Sequence, residues 1–288
     1  MIPNGMSIAS ASPEVNGIED TRERLVNDAS VRGGLYKVFS QAFLYPSPEV
    51  VDLFRDPELP EVLAGLVARS GERVSAERAI VHELGAYLRS AEFRGEYLGS
   101  AYHALFHLGG GVSLYESTYR GAHEFQWAET LADLSGFYRA FGVEPSGERP
   151  DHLSVELEFM YVLALKEIRA RTEDESFHVT REAERAFLRD HLAVWVPAFA
   201  QAVRRRVCEI GAHKEGFYMR MLAWLERFLA SECARLDVAS VTPAPLPELG
   251  REEEGGFACP FDVSGSEGLM GWSAALRWRE IPEGRGER

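Results

Sequence analysis

The sequence predicts an all-α fold: a single compact domain of about eight to ten helices with an extended C-terminal tail. Three observations point there. Apolar residues recur at helical spacing through most of residues 18–236. The connections between those stretches are short, which sets neighbouring helices antiparallel. The one β-like run, Val112 to Tyr115, has no second convincing strand to pair with. With 288 residues, 45% hydrophobic and 11% aromatic, the chain can bury a substantial core and is too apolar to stay disordered.

The elements follow in order. Residues 1–17 (MIPNGMSIASASPEVNG) are polar and read as a flexible N-terminus, without the basic start and apolar stretch of a secretory leader. A long helix carries Leu25, Ala29, Leu35, Tyr36, Val38, Phe39, Ala42 and Phe43 largely on one side. Gly33 and Gly34 weaken it by about 1 kcal/mol each relative to alanine, so a bend or a close helix contact is expected there. Pro46 and Pro48 end it. Helices are expected at 48–54, 58–69, 75–90 and 93–107, the last running into Gly109-Gly110-Gly111, a turn or room for backbone movement. A helix over 122–141 closes at Gly142 in a left-handed cap, and 143–150 is a turn. Further helices are expected at 151–170, 176–190, 191–209 and 213–235, with Pro197 kinking or starting the third. Residues 237–256 are proline-rich, then acidic, and read as a linker. In 257–288, Phe257, Phe261, Trp272 and Trp278 are costly to expose, so this tail is expected to fold back on the domain.

Charge narrows the function. The net charge of −14 disfavours nucleic acid and an acidic membrane surface as partners and favours a basic peptide. No run approaches the length of a spanning helix. Three scattered cysteines (Cys208, Cys233, Cys259) give no disulfide framework and fit a reducing compartment, so a cytoplasmic protein is expected.

Candidate chemistry is sparse. His103 and His107, four apart on a helix, have ligand spacing but no placeable third ligand, and buried core histidines are the plainer reading. A metal-dependent helical enzyme built on them is one alternative; a helical scaffold that docks a partner through its tail is another. Glu-x-x-His occurs at Glu175–His178, in a polar connector, and no phosphate-binding glycine motif exists. Cys208 reads as a small semi-buried side chain, and Arg204-Arg205-Arg206 as a solvated face. Two segments carry most information. In Pro150 to Met160, Asp151 can cap a helix, and His152 and Glu156 can meet and raise the histidine's proton affinity. The other segment is Leu114-Tyr115-Glu116-Ser117-Thr118-Tyr119. The functional reading is an acidic, partly polar patch beside an apolar groove, suited to a segment bearing arginines and hydrophobic residues.

PDHLSVELEFMYVLALKE (150–167) resembles the signature of the redox-enzyme maturation chaperones, the assembly proteins of trimethylamine-oxide, dimethyl-sulfoxide and nitrate reductases. LYKVFSQAFLYPSPEVV (35–51) and LYESTYRG (114–121) resemble two further segments of that family. CPFDVSGSEG (259–268) and the longer tail resemble the chaperones of periplasmic ethylbenzene, dimethyl-sulfide, chlorate or selenate-type molybdoenzymes. The resemblance implies an all-helical, non-enzymatic cytoplasmic chaperone. It would bind the apo-catalytic subunit of a dimethyl-sulfoxide-reductase-superfamily molybdoenzyme, its twin-arginine leader, or both, and assist insertion of the molybdenum cofactor before export. No bound cofactor or metal is expected for the chaperone itself. The partner site it implies comprises Asp151, His152, Glu156 and Glu158, bordered by Tyr115, Glu116 and Ser117, with Tyr36 and Phe39 as an apolar wall.

Overall fold

A computed structural model describes residues 13–121, 124–173, 175–211, 216–239, 244 and 277–280. Among them the fold is all-α. The segments are α1 (Pro13–Ala42), α2 (Pro48–Arg55), α3 (Glu58–Arg69), α4 (Ser75–Leu88), α5 (Leu98–Tyr102), α6 (Ser117–Arg120), α7 (Glu124–Ala140), α8 (Leu153–Thr172), α9 (His178–Phe187), α10 (Ala193–Glu209) and α11 (Phe217–Arg235). π-helical turns at His103–His107 and Leu188–Leu192 extend α5 and join α9 to α10.

The central pair is α1 against α8. The first eight residues of α8, Leu153 to Met160, are all buried, the pattern of a helix enclosed on every side rather than one with a solvent face. The paired glycines of α1 explain the close approach. A Cβ on Gly33 would lie 3.3 Å from Ala164 Cβ of α8, and one on Gly34 3.3 Å from Leu66 Cδ1 of α3. α1 stays unbroken, so the expected close contact is what these residues provide. At the expected glycine cap, Gly142 has φ 71°, a left-handed conformation that favours glycine.

Three expectations are corrected. A two-stranded antiparallel ribbon is present: β1 (Val143–Ser146) pairs with β2 (Arg277–Glu280), in register Val143–Glu280 to Ser146–Arg277. The partner lies far along the chain, and local patterning does not register such a pairing. Of the two roles expected for Pro197, starting the helix is excluded, because it lies inside α10. Cys208 is exposed rather than semi-buried. Ala244 N–H donates to Val194 O at 2.8 Å, fixing one point of the 237–256 segment. Phe257, Phe261, Trp272 and the 259–268 motif lie outside the described residues, as does Cys259.

Candidate functional site

The segments bearing Tyr115 and Asp151 meet. Glu116 N–H donates to Asp151 O (2.9 Å) and Leu153 N–H to Leu114 O (2.9 Å), so Val112–Tyr115 runs extended beside the start of α8 with one bridge, Tyr115 to His152. The helix cap differs from expectation. His152 is the capping residue, and its Nδ1 accepts the Ser154 N–H at 3.1 Å. That leaves the proton of the neutral ring on Nε2. Burial lowers its proton affinity, against the expected rise, because Glu156 is engaged elsewhere.

Asp151 is fully buried and turns sideways. Its Oδ2 accepts the Ser117 N–H at 3.3 Å, and its two oxygens take Arg149 Nε (3.1 Å) and Nη2 (2.9 Å). Arg149 Nη2 also donates to Ser117 Oγ at 3.1 Å, and the guanidinium lies 4.4 Å from the Tyr115 ring centroid. The Tyr115 ring meets His152 edge-on at 5.1 Å, and its hydroxyl donates to Glu148 Oε1 at 3.2 Å. Arg149 was not among the expected site residues. It is the charged side chain that this arrangement presents to solvent, 43% exposed against 0% for Asp151.

Beneath this layer Glu116 and Glu156 face each other, both fully buried. Glu116 accepts Arg120 Nε at 2.7 Å and pairs with His191 Nδ1 at 2.9 Å; Glu156 Oε2 accepts Trp195 Nε1–H at 3.0 Å. Glu156 Oε1 has no donor in reach. Burial, then the Glu116 charge, push the Glu156 carboxyl well above its ordinary 4.5. A proton on Oε1 shared with Glu116 satisfies both. A glutamine reproduces that pattern, accepting from Trp195 and donating to Glu116. The folded state binds this proton more tightly than the unfolded chain, so its contribution is full below the ordinary value and is lost as pH rises. Glu156→Gln is therefore expected to be close to neutral near about pH 5 and stabilising near about pH 8, the natural chain losing up to about 1.4 kcal/mol per pH unit until Glu156 ionises. Urea midpoints at the two pH values check it; an identical gap at both contradicts the shared proton.

The remaining expected residues sit apart. Glu158 is on the α1 side of α8, where its carboxylate takes Lys37 Nζ at 2.6 Å and Ser40 Oγ at 2.9 Å. Tyr36 and Phe39 are interior residues packed on Phe228 at 4.7 and 5.7 Å, and the Tyr36 hydroxyl donates to Glu232 at 3.0 Å. They line no surface groove, because this face of α1 is covered by α11.

Aromatic and apolar side chains are exposed around the end of α5 instead. The ring of the buried Tyr102 lies 5.7 Å from Tyr45 and 5.2 Å from His107, and burial first, then the charge of Glu148, raise the pKa of its hydroxyl. Tyr45 is 53% and Leu108 58% exposed. His103 and His107 are exposed as well, rather than core histidines, with rings 5.3 Å apart. Among the described residues no group of three or more His, Cys, Asp or Glu side chains can hold a metal, which weighs against the metal-enzyme alternative. The loop that follows is held by close packing. A Cβ on Gly111 would come within 2.6 Å of the Phe106 backbone. Arg206 donates to Ala104 O (3.3 Å) and Leu108 O (3.4 Å), so it braces the π-turn rather than forming a solvated face.

A cleft of about 420 Å³ opens elsewhere, between α1, α4, α8 and α11, lined by Arg32, Glu77, Glu167, Arg171 and Arg235 among others. Its charges largely pair with each other, Arg32 with Glu167 between α1 and α8 and Arg171 with Glu167 along α8. Among the described residues no helix is long and apolar enough to cross a membrane.

Residues 72–201 match the family model described as nitrate reductase delta subunit. The chain is 32% identical over 189 residues to the selenate reductase assembly chaperone protein of Thauera selenatis, covering 64% of this chain and 80% of that one. It is 34% identical over 116 residues to the perchlorate reductase assembly chaperone protein of Dechloromonas aromatica (38% of this chain, 49% of that one). It is 38% identical over 111 residues to the chlorate reductase assembly chaperone protein of Ideonella dechloratans (37% and 57%). By the breadth of the first of these matches, the chain belongs to the family of the reductase assembly chaperones.

Proposed function

We propose that this protein is a cytoplasmic, non-enzymatic chaperone dedicated to one molybdoenzyme of the dimethyl-sulfoxide reductase superfamily, in the group that reduces oxyanions such as selenate or chlorate. It captures the catalytic subunit before its cofactor is in place, by the twin-arginine leader, the body, or both, and releases it for export once loaded. The reading is supported chiefly by one arrangement: a carboxylate, a hydroxyl and an aromatic face (Asp151, Ser117, Tyr115) gathered around one guanidinium. That combination suits a segment with arginines and apolar residues. The relatives' names support the oxyanion-reductase group.

In this reading Tyr115, Ser117, Asp151 and His152 form the receiving layer. Glu116 and Glu156 hold it from beneath, and Glu158, Tyr36 and Phe39 fix α8 on α1 and α11. The test is co-purification with the catalytic subunit of a candidate molybdoenzyme, followed by calorimetry with its leader peptide. Asp151→Asn is expected to weaken capture by roughly ten- to a hundred-fold while circular dichroism stays unchanged. Absence of binding to either the subunit or its leader contradicts the reading, and unchanged affinity in the variant contradicts the site.

A further inference from the structure

We infer that Asp151, Ser117 and Tyr115 form a guanidinium receptor that Arg149 fills in the free protein, and that a client arginine binds by taking the place of Arg149. The inference deepens the leader-binding reading and rests on it. Every element of an arginine site is present. Two carboxylate oxygens meet Nε and Nη2 at 3.1 and 2.9 Å, a hydroxyl accepts Nη2 at 3.1 Å, and a ring lies 4.4 Å from the guanidinium carbon. The receptor is rigid where its guest is not. Asp151 and Ser117 are buried, the Glu116 N–H donates to the Asp151 carbonyl, and the Ser117 N–H donates to the Asp151 carboxylate. Arg149, by contrast, is nearly half exposed, only two residues away in the chain, and can swing out by side-chain rotation alone. Its backbone N–H, bonded to Glu148 Oε1 at 2.9 Å, keeps the loop in place when it does.

Exchange conserves charge. The buried Asp151 never stands uncompensated, which avoids the large penalty of an unpaired buried ion. It also selects arginine over lysine, because an ammonium can neither fork across two oxygens nor stack on the ring. A side chain tethered so close competes at a high effective concentration, so a single free arginine does not displace it. A ligand that does so must gain contacts elsewhere, and the exposed side chains of Tyr45, His103 and Leu108 offer apolar ones.

The experiment uses the full chain with Arg149→Ala. Its melting temperature is expected to fall and to recover in part with ethylguanidinium chloride but not with ethylammonium chloride at equal ionic strength, while the natural chain responds alike to both. A synthetic peptide with two adjacent arginines followed by an apolar stretch is expected to bind the variant about ten-fold more tightly than the natural chain, the competing side chain being gone. The same peptide with lysines gains nothing. Equal responses to the two salts overturn the receptor. Equal or weaker peptide binding by the variant overturns the exchange, even if the catalytic subunit is still captured and the chaperone reading stands. If Arg149→Ala fails to fold, Arg149→Lys, which keeps the charge and loses the fork, is put through the same measurements with the same criteria.

Discussion

Replacing Arg32 by methionine is expected to lower folding stability by about 3–5 kcal/mol, the cost of removing one member of a buried ion cluster. Arg32 of α1 is 5% exposed and lies among Glu167 of α8, Glu184 of α9 and Glu232 of α11. Arg235 reaches Glu184 and Glu232 at 2.7 Å each, Arg171 reaches Glu167 at 2.7 Å, and Tyr36 donates to Glu232. Burial and the nearby Arg235 both work against the charge on Arg32, but the three carboxylates outweigh them and hold it ionised. Methionine fills much of the volume, so the loss comes from carboxylates left in an apolar interior with too few cations. The check is urea denaturation with an unchanged slope and a shifted midpoint. A loss under about 1 kcal/mol would mean that Arg235 and Arg171 suffice without Arg32.

Trp195→Ala is expected to cost a similar amount, about 3–5 kcal/mol. The side chain is fully buried on α10, packed on Tyr119 at 5.3 Å and Phe199 at 5.7 Å. Its Nε1–H is also the donor to Glu156. Trp195→Phe separates the two contributions. It keeps most of the ring contacts and removes the donor, for an expected cost of about 1–3 kcal/mol. Denaturant midpoints of the two variants decide the matter: equal losses would assign the whole effect to the hydrogen bond and none to packing. Both variants should also loosen the layer above, since Glu156 stands in the first turn of α8, next to His152 and Asp151.

The helices were largely legible in the sequence because their boundaries are written locally. Ser47 and Pro48 open α2, periodic apolar residues mark α3 and α4, and Gly142 ends the chain's excursion after α7. The meeting of Tyr115 with the Asp151 helix became visible through family resemblance, not through spacing. What the sequence did not disclose is which acids are buried. Glu156 and Glu158 look like surface residues of an amphipathic helix, but α8 is enclosed by α1, α7, α10 and the 112–120 segment, and no local pattern reports that. Arg149 was missed for the same reason: its role depends on Ser117 and Tyr115, more than thirty residues earlier. Arg206 and β2 also act across long stretches of sequence.

The pairing of α1 with α8 sets the order in which this protein can be assembled. Arg32 and Glu167 are 135 residues apart, and Gly33 is shaped to receive Ala164. During synthesis α1 therefore lacks its main partner until α8 has emerged, and a nascent chain halted before that point carries part of a long apolar stripe without its mate. Contacts of such high sequence separation slow folding and lengthen the interval in which sticky surface is bare. Synthesis of this chain thus contains a vulnerable interval of its own.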